Sequence, residues 1–209
     1  MKRWLRRVLA IALVVAALSL ASWLNTIQAG ADTFHRIAVE KRLAPFEVAG
    51  RLGNPATART FVVTARAVDG SQQVAVVSAG ELLTVKSTAV FVVVTADVQA
   101  VTTPVQVQGF QLRDGTGRIF DASVRWSQSF ADEVFDPRLP QRVSVVFEVP
   151  TDVTSLELLV SPSDLEQRLD SQAVIPLNVG GADIDSWKAS TAPLRVAEPR
   201  ALAAVAGPR

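Results

Sequence analysis

The chain of 209 residues contains no cysteine and a single histidine. The first absence removes disulfides, thiolate nucleophiles and the acylated cysteine of a lipoprotein anchor. The second removes much of the remaining hydrolytic chemistry, because a serine nucleophile needs an imidazole base and a zinc site needs several nitrogen or sulfur ligands. His35 has no companion for either role and reads as a solvated residue in a connecting segment. A phosphate-cradling loop is missing too: Gly115-Thr116-Gly117 lies between two strand-like runs instead of ahead of a helix, which makes it a turn. Basic excess is also lacking. The formal net charge is +1, and Lys2, Arg3, Arg6 and Arg7 hold four of the 21 basic residues, leaving the rest of the chain mildly acidic. No concentrated basic face remains for a nucleic acid. No cofactor or metal is expected, and long amphipathic helical periodicity is absent.

What is present begins with an apolar run. Val8 to Leu24 (VLAIALVVAALSLASWL) carries no charge, and its extension to Ile27 reaches the ~20 residues that span a bilayer as a helix. Trp4 and Trp23 flank it at the level indole rings favour, and the basic cluster ahead of it holds the N-terminus in the cytoplasm, so the following domain faces outward. Ala29-Gly30-Ala31 also has the form that signal peptidase accepts, with Asp32 as the new N-terminus, so a cleaved signal peptide and a secreted domain form the alternative.

Downstream of a mixed stretch with Pro45, Gly50 and Gly53, the chain turns β in character near Val48. Thr60 to Val68 alternates and ends at Asp69-Gly70, a turn signal, with short strands expected at Val74 to Val77 and Glu81 to Val85. Ala89 to Val98 (AVFVVVTADV) is nearly continuous in β-branched residues, which predicts a central strand buried on both faces. Val105 to Leu112 and Gly117 to Val124 predict a hairpin, with Asp114, Gly115 and Gly117 supplying positive φ and Phe110 and Leu112 sharing a face. Val143 to Val149 and Ser155 to Val160 follow as strands, and Ala173 to Val179 as a last one whose Pro176 calls for an edge or a bulge. Between the hairpin and these strands, Trp126 to Gln141 lacks alternation and reads as a surface crossover.

The expected organisation is therefore all-β: a basic cytoplasmic N-terminus over 1–7, a transmembrane helix or signal-peptide core over 8–27, a stalk over 28–47, an immunoglobulin-like β-sandwich over 48–182 and a flexible Ala/Pro/Arg-rich tail over 183–209. The Phe91-Val92-Val93-Val94 strand, the Phe110 to Gly115 and Gly117 to Phe120 hairpin, and the Val145 to Pro150 strand followed by Leu156-Glu157-Leu158 are arranged as in a known family. The chain resembles bacterial extracytoplasmic domains of unknown function with a telokin-like, immunoglobulin-like β-sandwich. That resemblance implies a signal or anchor segment and no known enzyme activity.

Chemistry and binding have few candidates. Asp132, Glu133 and Asp136 cluster in the crossover and would have to serve any carboxylate-dependent hydrolysis of envelope glycans, and the same acids, or Asp183 and Asp185, are the oxygen ligands on offer for calcium. Trp126, Phe130 and Phe135 are large apolar residues in a segment expected to be exposed, which makes them the candidate interaction surface; the competing expectation is that they plug the core. The expected partners are the membrane, through the N-terminal helix, and another envelope protein.

Overall fold

The computed structural model describes residues 44–78, 81–123, 133–163 and 170–203. The run read as a membrane segment lies outside them, as does His35, and among the described residues no helix is long and apolar enough to cross a membrane. The elements in chain order are β1 (Phe46–Ala49), β2 (Ala56–Thr57), β3 (Phe61–Ser78), β4 (Glu81–Ala100), β5 (Val105–Gln106), β6 (Gly109–Asp114), β7 (Ile119–Asp121), β8 (Val134–Phe135), β9 (Gln141–Val149), β10 (Ser155–Ser161), β11 (Ser171–Gly180), α1 (Gly181–Ala189), β12 (Leu194–Arg195) and β13 (Arg200–Ala201).

They form a β-sandwich. One sheet has the order β1-β11-β10-β6-β7, the other the order β12-β3-β4-β9-β13, and β5 and β8 make a separate two-stranded ribbon. β1 and β12 join their sheets as parallel strands, against β11 and β3; the long strands pair antiparallel. Every second residue of β4, Val90, Val92, Val94, Ala96 and Val98, points into the main core, where it meets Phe147 of β9, Leu158 of β10 and Ile175 of β11. The residues between them point the other way, and Phe91 and Val93 form a second apolar cluster with Val146 and with Val74 and Val76 of β3. A strand that must be dry on both faces has little room for polar alternation, which is why this stretch reads as an unbroken β-branched run.

Asp69-Gly70 is not a turn. β3 runs straight through it, with Asp69 opposite Val93 and Gly70 opposite Val92, and continues to Ser78, which pairs with Glu81. The glycine serves a close approach instead: a Cβ at Gly70 would stand 2.2 Å from Cδ2 of Trp187, so the α1 indole lies directly on the β3 backbone. Val105-Gln106 also departs from expectation, since it pairs with β8 and leaves the hairpin to β6 and β7. At that hairpin only Gly117 has positive φ, at 88°. Asp114 acts through its carboxylate, accepting hydrogen bonds from the Thr116 and Arg118 amides at 2.8 and 2.9 Å.

Pro176 lies where a residue without an amide proton does least harm. β1 covers β11 only from Ser171 to Val174, and the β10–β11 register slips between the Ser155–Gly180 and Glu157–Pro176 pairs. Asn178, two residues on, has φ of 57°, so this irregularity is held in the left-handed region.

The segment read as a flexible tail is built into the domain through residue 203. Ile184 of α1 is fully buried in the main core and Trp187 packs against it. β12 then pairs with Val74 and Ala75, Leu194 and Val196 lie against the second apolar cluster, and β13 pairs with the start of β9. An Ala- and Pro-rich composition conceals this, because the fit rests on only two apolar residues at strand spacing and on polar clamps from β3. Ser71 Oγ donates to the Ala192 carbonyl at 2.9 Å and Gln73 Nε2 to the Thr191 carbonyl at 3.0 Å.

Candidate functional site

The register of the strands sorts the loops onto two ends. At the end where the chain enters, Phe46 begins β1, β4 and β6 are linked by residues 101–108, and β9 and β11 begin. At the far end lie the β6–β7 turn, the β9–β10 turn, the close of β11 and the tip of the β3–β4 hairpin.

The β3–β4 tip is the most exposed apolar feature of the far end. Beyond Ser71 and Phe91 the two strands are out of step, with Gln73 pairing Lys86, so several residues of β4 bulge out and re-aim the hairpin past the end of β9, whose pairing with β4 stops at Val90. Val77 and Leu82 are a cross-strand pair, and Leu83 pairs with Val76. Leu82 is 62% exposed and Leu83 51%. Among the described residues no strand pairs with the outer edge of β4 from Glu81 to Lys86, so its backbone donors and acceptors face solvent beside these leucines.

Two carboxylates have an unusual environment. Asp97 is nearly buried on the outer face of β4, where Arg142 Nε reaches it at 2.6 Å and Arg66 Nε at 2.7 Å. Arg66 is there because it is the extra residue of a bulge: Ala65 pairs with Ala96 and Ala67 with Thr95. Burial works against the Asp97 charge, but the hydrogen bonds and fields of Arg142 and Arg66 outweigh it and hold the carboxyl below its usual range. An open cavity of about 270 Å³ lies beside it, lined by Thr64, Gln99, Pro140 and Leu202 among others. Asp114 is likewise opposed by burial and held well below the ordinary range by Thr116 and Arg118, while Arg118, bound by Asp152 and Asp114, is raised. This second arrangement is the lock of a turn. A cavity of about 510 Å³ adjoins it, walled by Arg113, Glu157, Asn178 and Ser155, but Arg113 is already engaged by Glu47 and Glu157 at 2.9 Å each.

The residues singled out in the sequence are scattered. Phe135 is fully buried in the main core, paired through β8 with Val105, so it is a core plug and not a surface contact. Its neighbour Val134 points outward, as strand alternation requires. Trp126, Phe130 and Asp132 lie outside the described residues. Asp136 accepts a hydrogen bond from the Arg138 amide at 2.8 Å in its own turn, and Asp183 accepts one from the Gly180 amide at 2.8 Å, capping α1. Among the described residues no three His, Cys, Asp or Glu side chains gather as a metal site would need. Sequence reasoning misses Asp97, although it is the one charge inside AVFVVVTADV and so the position that needs cationic neighbours.

No family model matches the chain, and no curated protein matches it. Among solved structures, an uncharacterized β-sandwich protein from Clostridium difficile 630 is similar over 64% of this chain and 95% of its own, at 12% identity and a TM-score of 0.43. A conserved hypothetical protein from Bacillus anthracis is similar over 57% and 93%, at 18% identity and a TM-score of 0.42.

Proposed function

We propose that this chain is a membrane-anchored, extracytoplasmic accessory module that acts by binding another envelope protein and not by catalysis, and that its domain is immunoglobulin-like. Strand order supports the fold reading. β3, β4 and β9 stand in the relation of strands A, B and E, and β6, β10 and β11 in that of C, F and G, with β1 running parallel beside the last. The apolar run from Val8 to Ile27 behind four basic residues supports the anchor and its orientation.

The observation that carries the binding role is the β3–β4 tip. An unpaired strand edge flanked by exposed leucines is costly to leave in water and is the form in which sheets accept a strand from a partner. The partner is a protein that adds an extended segment along Glu81 to Lys86, with apolar side chains set against Leu82 and Leu83.

The test is a photo-crosslinking residue at Leu83 in intact cells, followed by membrane solubilisation and mass spectrometry. A single stoichiometric adduct that disappears with Leu82→Ser is the expected result. A protein that yields no adduct from Leu83, and whose co-purifying proteins are unchanged by Leu82→Ser, would remove the binding role at this edge.

A further inference from the structure

The exposed large apolar side chains among the described residues are not scattered. Val77, Leu82 and Leu83 occupy the far tip and Ile119 follows the β6–β7 turn of that same end, while Phe46, Val101, Val134 and Leu139 all belong to the end where the chain enters, with Phe46 65% and Val134 51% exposed. A continuous set of contacts places these four on one end. The Phe46 amide donates to the Asp170 carbonyl at 2.8 Å, and Arg59 pairs with Asp170 at 3.1 Å. Next to Arg59, the Thr60 carbonyl takes the Val101 amide at 2.9 Å. Val98 pairs with Gln141, whose Nε2 donates to the Val134 carbonyl at 3.2 Å, and Leu139 bridges back to Asp136.

We propose that this entry end rests on the bilayer, with Phe46, Val101, Val134 and Leu139 seated in the interfacial layer. The inference rests on the anchored reading above and adds an orientation to it. The 17 residues between Ile27 and Pro45 would reach at most ~60 Å at ~3.5 Å per residue, a tether that leaves many orientations open. The apolar end selects one of them, because the tether leaves from that same end. The backbone there is prepared to lose water. Pro104, Pro137 and Pro140 have no amide proton to satisfy, the Pro137 carbonyl accepts from Gln99 Nε2, and the Pro140 carbonyl accepts from the Leu202 amide at 2.8 Å. The charges at this end are of both signs, with Arg59 paired to Asp170 and Glu133, Asp136 and Arg138 flanking Val134 and Leu139, so the attraction is apolar and indifferent to lipid charge.

The test uses the full chain in phosphatidylcholine proteoliposomes, and the lack of native cysteine allows single labels. Leu139→Cys, Val134→Cys and Leu82→Cys each receive an environment-sensitive fluorophore, with nitroxide-bearing lipid as quencher. The first two are expected to be quenched at least about threefold more than the third, as suits side chains seated ~5–10 Å into the interface, with no change when anionic lipid is added. Equal quenching at all three sites, or none at any, overturns the proposal. Carbonate extraction and N-terminal sequencing of the same preparation report the anchor separately. If the chain begins at Asp32 and is released, flotation of that chain with the same vesicles decides: loss of flotation in Val134→Ser/Leu139→Ser keeps the lipid-facing end without the anchor, and no flotation at all removes both.

Discussion

The two outer faces of the sandwich solve the same problem in opposite ways. On the β1-β11-β10-β6-β7 sheet, long polar side chains lie across the strands: Arg113 joins Glu47 to Glu157, and Gln111 donates to Asp121 at 2.7 Å. These groups stay partly in water, so each contact is worth little, although Leu159 and Val174, which pair on the same face, are only 4% and 8% exposed. On the β12-β3-β4-β9-β13 sheet, Phe91, Val93 and Val146 are apolar and need a cover, which the β3 hairpin and the segment carrying Leu194 and Val196 supply. Only the half of that face nearer the chain entry is polar, and there the ion pair is nearly buried at Asp97. Buried apolar side chains carry more stability than ion pairs that stay in contact with water.

Substitutions on the covered face should therefore break the comparison most sharply. Phe91→Ala is expected to cost about 3–5 kcal/mol, because a fully buried ring leaves a cavity that paired strands cannot close, and chemical denaturation with an unchanged slope checks it. Replacing Leu194 and Val196 together by serine should cost about 2–3 kcal/mol, since both are only partly buried, and should raise binding of an apolar dye as Phe91 and Val146 are uncovered. Asp97→Asn should cost about 2 kcal/mol, a value set by two guanidiniums that keep contact with water. Its pH signature is specific. The folded carboxyl is held below its unfolded value, so its contribution is complete above the unfolded pKa of about 3.9 and disappears as pH falls through the lower folded value; the stability of Asp97→Asn should lack that part of the acid decline. On the wetted face, Arg113→Met should change stability by less than about 1 kcal/mol in the same denaturation assay, even though it removes two ion pairs. A cost above that of Asp97→Asn would invert the comparison.

Much of the sandwich was legible from the order of apolar runs, because strand periodicity depends on which face is dry, and both faces of β4 are. What escaped reading was long-range. Asp69-Gly70 has the composition of a turn, and nothing local in the sequence says that an indole 117 positions later will occupy the space a side chain would fill. The last elements were hidden for the same reason: Leu194 and Val196 are two apolar residues in a polar, proline-bearing stretch, and their worth appears only against Phe91 and Val93. At the candidate site, Phe135 was legible as either an interface aromatic or a core plug, and what decides between them is a pairing with Val105 that the spacing of the sequence does not reveal. The Leu82-Leu83 tip was read as ordinary strand, because exposure is a property of what fails to pair beside it.

The cover of the β4 outer face also has a timetable. Leu194 follows Val149, the end of β9, by 45 residues, so at ~5–20 residues per second the ribosome delivers the lid roughly two to nine seconds after the sheet it closes. During that interval Phe91, Val93 and Val146 form an uncovered greasy strip on a nascent chain. The strip is sealed only when the strap arrives, so a chain that stops before Leu194 should leave it open.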